Sequence, residues 1–279
     1  MTTARGESAR NAPRTSSRNS GALNKLIFEL GARKFPWMLY QYCAGCKEFE
    51  VLVLASTDPT KVTPPAHVAR LASSLGTPII VIRHDAKDEE MAHPVDLHTY
   101  LSDGTLDTRL MSTSWREVAK TLLALQIAHQ VESGGKRCAN HDATLLSKGT
   151  WKLRDGDASV SNLARMIPGV RHIDIDAAIY CPKCYGTQAV IEASSDGMED
   201  TNLSSKTKEV YMSLRIASAI GADTYLLQHH VKDAEHKHPA MLTGWTAGAA
   251  DTPFLAPSIM TWGAIRRELR ASQSRHVCS

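Results

Sequence analysis

Short apolar runs and an amphipathic stretch alternate along the first half of the chain. Residues 50–56 form an apolar run that is typical of a buried strand, and residues 78–82 form a second one. Between them, Thr63 followed by Pro64 suits the first turn of a helix, and Gly76 suits its end. This strand, helix, strand order predicts a parallel pair of strands joined by a crossover helix.

The second half of the chain repeats this pattern. Its two apolar runs are residues 188–194 and 224–228, and the serines at 204–205 can cap a helix that Gly221 ends. Apolar residues recur between these caps at helical spacing, so one face of the helix is expected to meet a core. A further helix is predicted over residues 115–130, between the two patterns.

The two halves are related in sequence, which indicates an internal duplication. Tyr42–Asp58 aligns without a gap over Tyr180–Asp196, and both cysteines and the closing Ala-Ser-x-Asp coincide. Arg70–Pro94 aligns without a gap over Arg215–Pro239, where His-x-x-Lys-Asp-x-Glu-x-x-His-Pro recurs intact. We therefore divide the chain into a disordered basic tail (1–22), a first domain (23–132), a linker (133–157), a second domain (158–246) and a C-terminal basic segment (247–279).

The composition is that of an ordinary globular protein, with 279 residues, 43% apolar residues, 22% charged residues and a net charge of +3. No run reaches the roughly 18 to 20 apolar residues of a membrane-spanning helix, and no apolar secretory signal opens the chain. We therefore expect a cytoplasmic protein without a membrane partner. Arginines concentrate at both ends, which suits a polyanion such as nucleic acid unless these ends are merely solvated tails. The candidates for nucleic-acid contact are Arg10, Arg14, Arg18, Arg266, Arg267 and Arg270.

Four of the six cysteines form two Cys-x-x-C pairs, Cys43 with Cys46 and Cys181 with Cys184. In a cytosolic protein this spacing favours metal binding over a disulfide framework, and we expect structural zinc at these four residues. Either both pairs converge on one zinc ion across the two halves, or each pair finds other ligands, for which Cys138 with His141 is a candidate. A reduced, packed pair of thiols is the alternative, and Cys278 is left over.

Carboxylates occur on two consecutive predicted strands of the second half. Residues 172–176 alternate polar and apolar positions, which puts Asp174 and Asp176 on one face of a strand. Glu192 interrupts the apolar strand that follows, and a charge there is costly to bury unless it is paired. A divalent cation held between Asp176 and Glu192 would offset that cost, and Mg²⁺ prefers such ligands. Otherwise the aspartates are surface residues and Glu192 forms a structural ion pair.

An Asp on one strand and a Glu-x-Lys-like element on the next, followed by a helix and a strand, resemble the PD-(D/E)xK nuclease superfamily. The resemblance covers residues 172–229, with the Cys-x-x-C hairpin inserted between the two motifs. It implies a restriction-endonuclease-like fold and a Mg²⁺- or Mn²⁺-dependent cleavage of phosphodiester bonds. It also implies that Asp176 or Asp174 is the family's Asp and that Glu192 is its Glu.

The lysine of the family motif is not at its usual place, because Ser194 stands there. Some members of the superfamily supply this lysine from the following helix, and Lys206 or Lys208 would do so here. The first half lacks the acids altogether: Met38 aligns with the family's Asp position and Leu54 with its Glu position. The duplication therefore predicts one active and one degenerate copy.

The sequence thus predicts an α/β fold of two duplicated restriction-endonuclease-like domains, each with a mixed sheet, a crossover helix and a Cys-x-x-C hairpin. The predicted function is that of a metal-dependent nuclease. The partner is nucleic acid, with DNA favoured over RNA. The catalytic and Mg²⁺-binding residues would be Asp174, Asp176, Glu192, Lys206 and Lys208. The alternative is a non-catalytic, zinc-stapled protein that binds nucleic acid or organises an assembly.

Overall fold

The structure is a computed structural model that describes residues 20–30, 38–43, 45–46, 48–56, 60, 62–84, 93–128, 170–181, 183–194, 207–230, 233–248, 252–275 and 278. The strands are β1 (Met38–Cys43), β2 (Phe49–Ser56), β3 (Ile79–Arg83), β4 (Val95–Tyr100), β5 (Leu106–Thr113), β6 (Val170–Asp174), β7 (Ala177–Tyr180), β8 (Thr187–Ser194), β9 (Asp223–Gln228), β10 (Ala240–Trp245) and β11 (Leu255–Met260). The helices are α1 (Ser20–Glu29), α2 (Ala66–Leu75), α3 (Trp115–Ala128), α4 (Thr207–Ala219) and α5 (Trp262–Arg275).

Two mixed sheets form the framework, so the predicted α/β class is confirmed. The first sheet has six strands in the order β5-β4-β3-β2-β1-β6, and the second has five in the order β11-β10-β9-β8-β7. In the first sheet β2 and β3 are parallel, and in the second sheet β8 and β9 are parallel. The other strand pairs are antiparallel. Helices α2 and α4 connect the two parallel pairs, as the strand, helix, strand pattern predicts.

Both crossover helices end at a glycine in the left-handed conformation. Gly76 has φ +65° and its N–H bonds to carbonyls of the last turn of α2. Gly221 has φ +68° at the same place after α4. A side chain is strained at such φ values, so glycine specifies where each helix stops. The serines at 204–205, predicted to cap α4, lie outside the described residues.

Alternating side chains divide the core into three layers. In β2, Val51 and Val53 pack against α3, whereas Leu52 and Leu54 point toward the other face of the sheet. That other face, with α2, meets α4 and the inner face of the second sheet in one apolar cluster. The outer face of the second sheet packs against α1 and α5. The two halves therefore share a central layer of core, which neither half encloses alone.

The halves also exchange elements. Helix α1 precedes the first half in the chain, but its buried leucines pack on the second sheet beside α5. Strand β6 precedes the second half, but it pairs with β1 at the edge of the first sheet. Each half thus receives one element from the segment that leads into the other.

The exchange explains one departure from the sequence prediction. A single strand was expected over residues 172–176, but β6 ends at Asp174 and β7 begins at Ala177. The chain passes from one sheet to the other at Ile175 and Asp176. Asp174 and Asp176 therefore do not share one strand.

The predicted segments are distributed over both sheets. Residues 20–22 of the predicted tail are helical, and residues 247–279 include β11 and α5 of the second half. Residues 1–19 and the predicted linker, 133–157, lie outside the described residues. None of the described helices combines the length and the apolar character that crossing a membrane requires.

Candidate functional site

The strand register of the second sheet brings Asp176 and Glu192 opposite each other. Ala177 of β7 faces Ile191 of β8 in an antiparallel pairing, so the preceding residue, Asp176, lies beside Glu192. The Ala193 amide donates a hydrogen bond to Asp176 Oδ2 at 2.7 Å, which fixes this side chain against β8. The two acids are therefore neighbours across β7 and β8, and a shared cation site between them stays a prediction.

Glu192 points into the central layer between the halves. It shares its face of β8 with Val190 and is 7% exposed, whereas Asp176 is partly exposed. Ser213, on α4 and fully buried, donates a hydrogen bond to Glu192 Oε1 at 2.5 Å. A hydroxyl donor of this kind lowers the cost of burying a carboxylate among apolar side chains.

The first half contributes Tyr40 to this site. Tyr40 lies on β1 opposite Leu52, and its counterpart in the second half is Ala178, which lies opposite Val190. Burial and the nearby negative charge of Glu192 raise the pKa of Tyr40 well above its ordinary value, so the phenol is protonated at neutral pH. Among the described residues, no hydrogen-bond partner lies within reach of its hydroxyl. The sequence gives no signal for this residue, because only the packing of one half on the other places it here.

The equivalent position in the first half has no carboxylate. Met38 lies opposite Leu54 across β1 and β2, as Asp176 lies opposite Glu192. The strand register therefore supports the sequence alignment at both positions. It also gives an internal comparison, since the same local geometry occurs once with acids and once with apolar residues.

The remaining predicted residues of the acidic site are not placed in it. Ser194, which stands where the resemblance to PD-(D/E)xK nucleases would put a lysine, is buried, and its carbonyl accepts a hydrogen bond from the His229 amide at 2.8 Å. Lys208 lies in the first turn of α4 and Asp174 at the end of β6, but their side chains lie outside what the structure describes. Lys206 lies wholly outside it. The source of a lysine thus stays a prediction.

Three thiols form a second candidate site. The sulfur atoms of Cys181, Cys184 and Cys278 all lie within 4.8 Å of one another, and this cluster could hold a metal ion such as zinc. Within the described part of the chain it is the one group of three or more such ligands found this close together. The Cys181 pair thus finds a partner in Cys278, which sequence reasoning left over because no spacing links it to the hairpin.

Electrostatics differ sharply within the cluster. The backbone N–H groups of Cys184 and Lys183, with the Cys278 thiol, lower the pKa of Cys181 to about 7. The neighbouring sulfurs of Cys181 and Cys184 raise the pKa of Cys278 to about 11. Cys181 therefore becomes a thiolate, the form that binds metals, at a lower pH than Cys278 does.

The first Cys-x-x-C pair has the same turn but no third ligand among the described residues. The Gly45 amide donates to Cys43 Sγ at 3.3 Å, and Cys43 is buried while Cys46 is partly exposed. Cys138 and His141, the predicted partners for a second site, lie outside the described residues.

The C-terminal arginines bind other parts of the protein as well as facing solvent. Arg266 forms an ion pair with Glu29, and Arg270 donates to the Glu29 carbonyl at 3.0 Å. These two of the predicted nucleic-acid contacts therefore hold α1 on α5. Arg267 is the remaining predicted contact on α5, and Arg10, Arg14 and Arg18 lie outside the described residues.

No family model, curated protein or solved structure matches the chain.

Proposed function

We propose that the protein is a metal-dependent nuclease with its active centre at Asp176 and Glu192. The observation that supports this proposal is the register of β7 and β8, in which Ala177 pairs with Ile191, so that Asp176 and Glu192 are the next residue on each side of that pair. A crossover helix and a parallel strand follow, which is the order that the resemblance to PD-(D/E)xK nucleases implies. In this proposal the second half has a restriction-endonuclease-like fold and the first half is a degenerate copy of it.

The donor set fits a hard divalent cation. Two carboxylates, Glu192 on β8 and Asp176 just before β7, suit Mg²⁺ or Mn²⁺, whereas Asp174 lies on β6 of the first sheet. Such an ion supplies a water of lowered pKa for attack on a phosphodiester. The Ala193 amide orients Asp176, and the Ser213 hydroxyl orients Glu192.

The other residues of the centre have distinct roles in the proposal. Lys206 or Lys208 would contact the scissile phosphate and stabilise its developing charge. Asp176 is the partly exposed member of the acid pair, so substrate would approach from its side. The substrate is nucleic acid, with DNA favoured over RNA. Arg10, Arg14, Arg18 and Arg267 would add sequence-independent affinity.

Cleavage assays with isosteric variants test this centre. Labelled single- and double-stranded DNA and RNA are incubated with Mg²⁺, Mn²⁺ or EDTA. We expect Glu192→Gln to lower metal-dependent cleavage by roughly 100-fold or more, because a neutral amide binds the cation poorly. Glu50→Gln is the matched control, since Glu50 is equally buried but lies on β2 of the first sheet. Undiminished cleavage by a folded Glu192→Gln protein removes Glu192 from the mechanism.

A second function is favoured by the serine at the lysine position. With Ser194 there, the protein would be a non-catalytic, zinc-stapled module that binds nucleic acid or organises an assembly. It would bind without cleaving, and its affinity would fall steeply with salt. Replacing Arg10, Arg14 and Arg18 together by Ala should then weaken binding and reduce its salt dependence, and neither the wild-type protein nor the variant should cleave any substrate.

A further inference from the structure

The turn between β7 and β8 is shaped around the sulfur of Cys181. The Cys181 amide bonds to the Gly186 carbonyl at 2.9 Å, and the Tyr185 amide bonds back to the Cys181 carbonyl at 2.9 Å. These two bonds close a tight loop and direct the amides of Lys183 and Cys184 at Cys181 Sγ.

The backbone of this turn is strained at a residue other than glycine. Tyr185 has φ +59°, a backbone conformation that residues other than glycine and asparagine seldom adopt. Strain of this kind persists where surrounding structure over-determines it, and it concentrates at binding sites. Tyr185 follows Cys184 directly, so this backbone conformation lies next to the thiol pair.

The third thiol arrives from a separate element. Helix α5 is anchored on the second sheet by Ile265 and Leu269, which are fully buried. Its last turn is fixed to the start of β9, because Ser272 and Arg275 both donate to Asp223 Oδ2 at 2.7 Å. This anchoring ends three residues before Cys278 and brings Cys278 Sγ to 3.3 Å from Cys181 Sγ.

The spacing of the three sulfurs suits a shared ion better than a disulfide. A tetrahedral zinc ion with Zn–S bonds of about 2.3 Å separates its sulfurs by about 3.8 Å. The observed limits of 3.3 Å for one pair and 4.8 Å for all three bracket that value. A disulfide would need only two sulfurs at about 2.05 Å and would give no reason for the third. Thiolates are soft ligands, which select zinc over the Mg²⁺ that suits the acid pair.

We propose that Cys181, Cys184 and Cys278 bind a structural zinc ion that fastens the C-terminal end of α5 to the β7–β8 turn. Zinc takes four ligands in structural sites, and the described residues supply these three. The ion lies at the hairpin turn, at the opposite end of β7 from Asp176, and has no part in the proposed nuclease chemistry. Its role is to hold α5, and through Arg266 and Arg270 also α1, on the outer face of the second sheet.

Metal content and cobalt spectroscopy of the full chain test the clamp. In a Cys46→Ser background, any ion at the first turn is lost, so the remaining signal reports the second. We expect Co²⁺ in this background to show thiolate-to-metal charge-transfer absorption, which weakens when Cys278→Ser is added. Zinc affinity should fall by more than the roughly 10- to 100-fold that changes outside the ligand shell cost.

Thermal stability supplies a readout independent of any nuclease activity. Chelation should lower the melting temperature of the Cys46→Ser protein and leave that of the Cys46→Ser/Cys278→Ser protein unchanged, because the clamp is already absent there. Ser274→Ala, at the exposed end of α5, is the control and should keep the ion. Unchanged zinc affinity on loss of Cys278, or a Cys181–Cys278 disulfide in the freshly purified protein by mass spectrometry, would overturn the clamp.

Discussion

Glu192 and Ser213 stand at positions where the first half has two apolar residues. Leu54 aligns with Glu192, and Val68, on α2, stands where Ser213 stands on α4. Leu54 and Val68 both lie in the shared central core. The hydrogen bond from Ser213 to Glu192 thus joins positions at which the other half has two apolar residues of the shared core. Two coordinated polar residues in a buried layer are costly for stability alone, which is a reason to assign them a function.

The internal comparison leads to a prediction about this pair. Ser213→Val alone removes a donor from the buried carboxylate, and we expect it to destabilise the protein by about 1–3 kcal/mol. Glu192→Leu/Ser213→Val recreates the pair of the first half and should recover most of that loss. Urea unfolding of the two single variants and the double variant measures the coupling. Additive effects of the two substitutions would show that the side chains do not act as a unit.

The face of β8 on which Glu192 lies could be predicted from the sequence, but the residues around it could not. Alternation along β8 fixes which residues share a face with Glu192, and this follows from local pattern. Tyr40 and Cys278 come from remote parts of the chain, and no periodicity or spacing links them to the sites they enter. Their placement depends on how the halves and α5 pack, which is decided by the whole core.

Most of the secondary structure was predictable, because the spacing of apolar residues and the glycines that end helices are local signals. The helix predicted over 115–130 is α3, Trp115–Ala128, and the strand predicted over 188–194 is β8. The change of sheet after Asp174 was not predictable, since residues 172–176 have the alternation of one continuous strand. The alternation of polar and apolar residues predicts which side chains of a strand are exposed. The sheet that the strand joins depends instead on partner strands distant in sequence.

Helix α1 is held on the second sheet by a loop that contains His236. Its ring lies flat on Trp262 with centroids 3.8 Å apart, and its Nε2 lies 2.8 Å from the Ala22 carbonyl of α1. In the neutral ring with the proton on Nε2, this nitrogen donates to that carbonyl. Burial lowers the pKa of His236 below 6.5, although Glu29 and Asp233 act in the opposite direction and Lys25 acts with burial.

A pH dependence follows from this lowered pKa. The unfolded chain takes up a proton at His236 before the folded protein does, so acid favours unfolding. The stability that neutral His236 provides is complete above about pH 6.5 and is lost as the pH falls through the lowered folded value. Hydrogen bonds from Lys237 and Trp262 lower the pKa of Asp233 against the effect of its burial, so Asp233 titrates at more acidic pH.

The urea midpoint at pH 7.5 and at pH 5.5 measures the contribution of His236. We expect a lower midpoint at pH 5.5 in the wild-type protein and a smaller difference in His236→Gln, because Gln can still donate to Ala22 but does not titrate. His93→Gln is the control, since His93 is exposed and should leave the difference as it is. An undiminished pH effect in His236→Gln would assign it to other groups.

At the scale of the molecule, the exchange makes the two halves interdependent. Duplicated halves usually permit two separate domains, each with its own core. Here α1 covers the second sheet, β6 extends the first, and α2 and α4 meet in one central cluster. Cutting the chain between the halves would expose apolar surface on both. The first half therefore has a structural reason to persist that does not depend on catalysis.

Fragments 1–132 and 133–279 test this interdependence. We expect neither to unfold cooperatively alone, because each loses one exchanged element and half of the central core, and we expect the mixture to form an equimolar complex with a cooperative transition. A peptide of residues 20–30 should raise the melting temperature of the second fragment, whereas the same peptide with Leu26→Asp should not, since Leu26 is fully buried in that contact. If fragment 133–279 unfolds cooperatively alone and the peptide does not change its melting temperature, the second half is an autonomous domain. Helix α1 is then not needed for its stability. A functional requirement would then have to keep the two halves in one chain. The acid pair and Tyr40 are the site at which to test for that requirement.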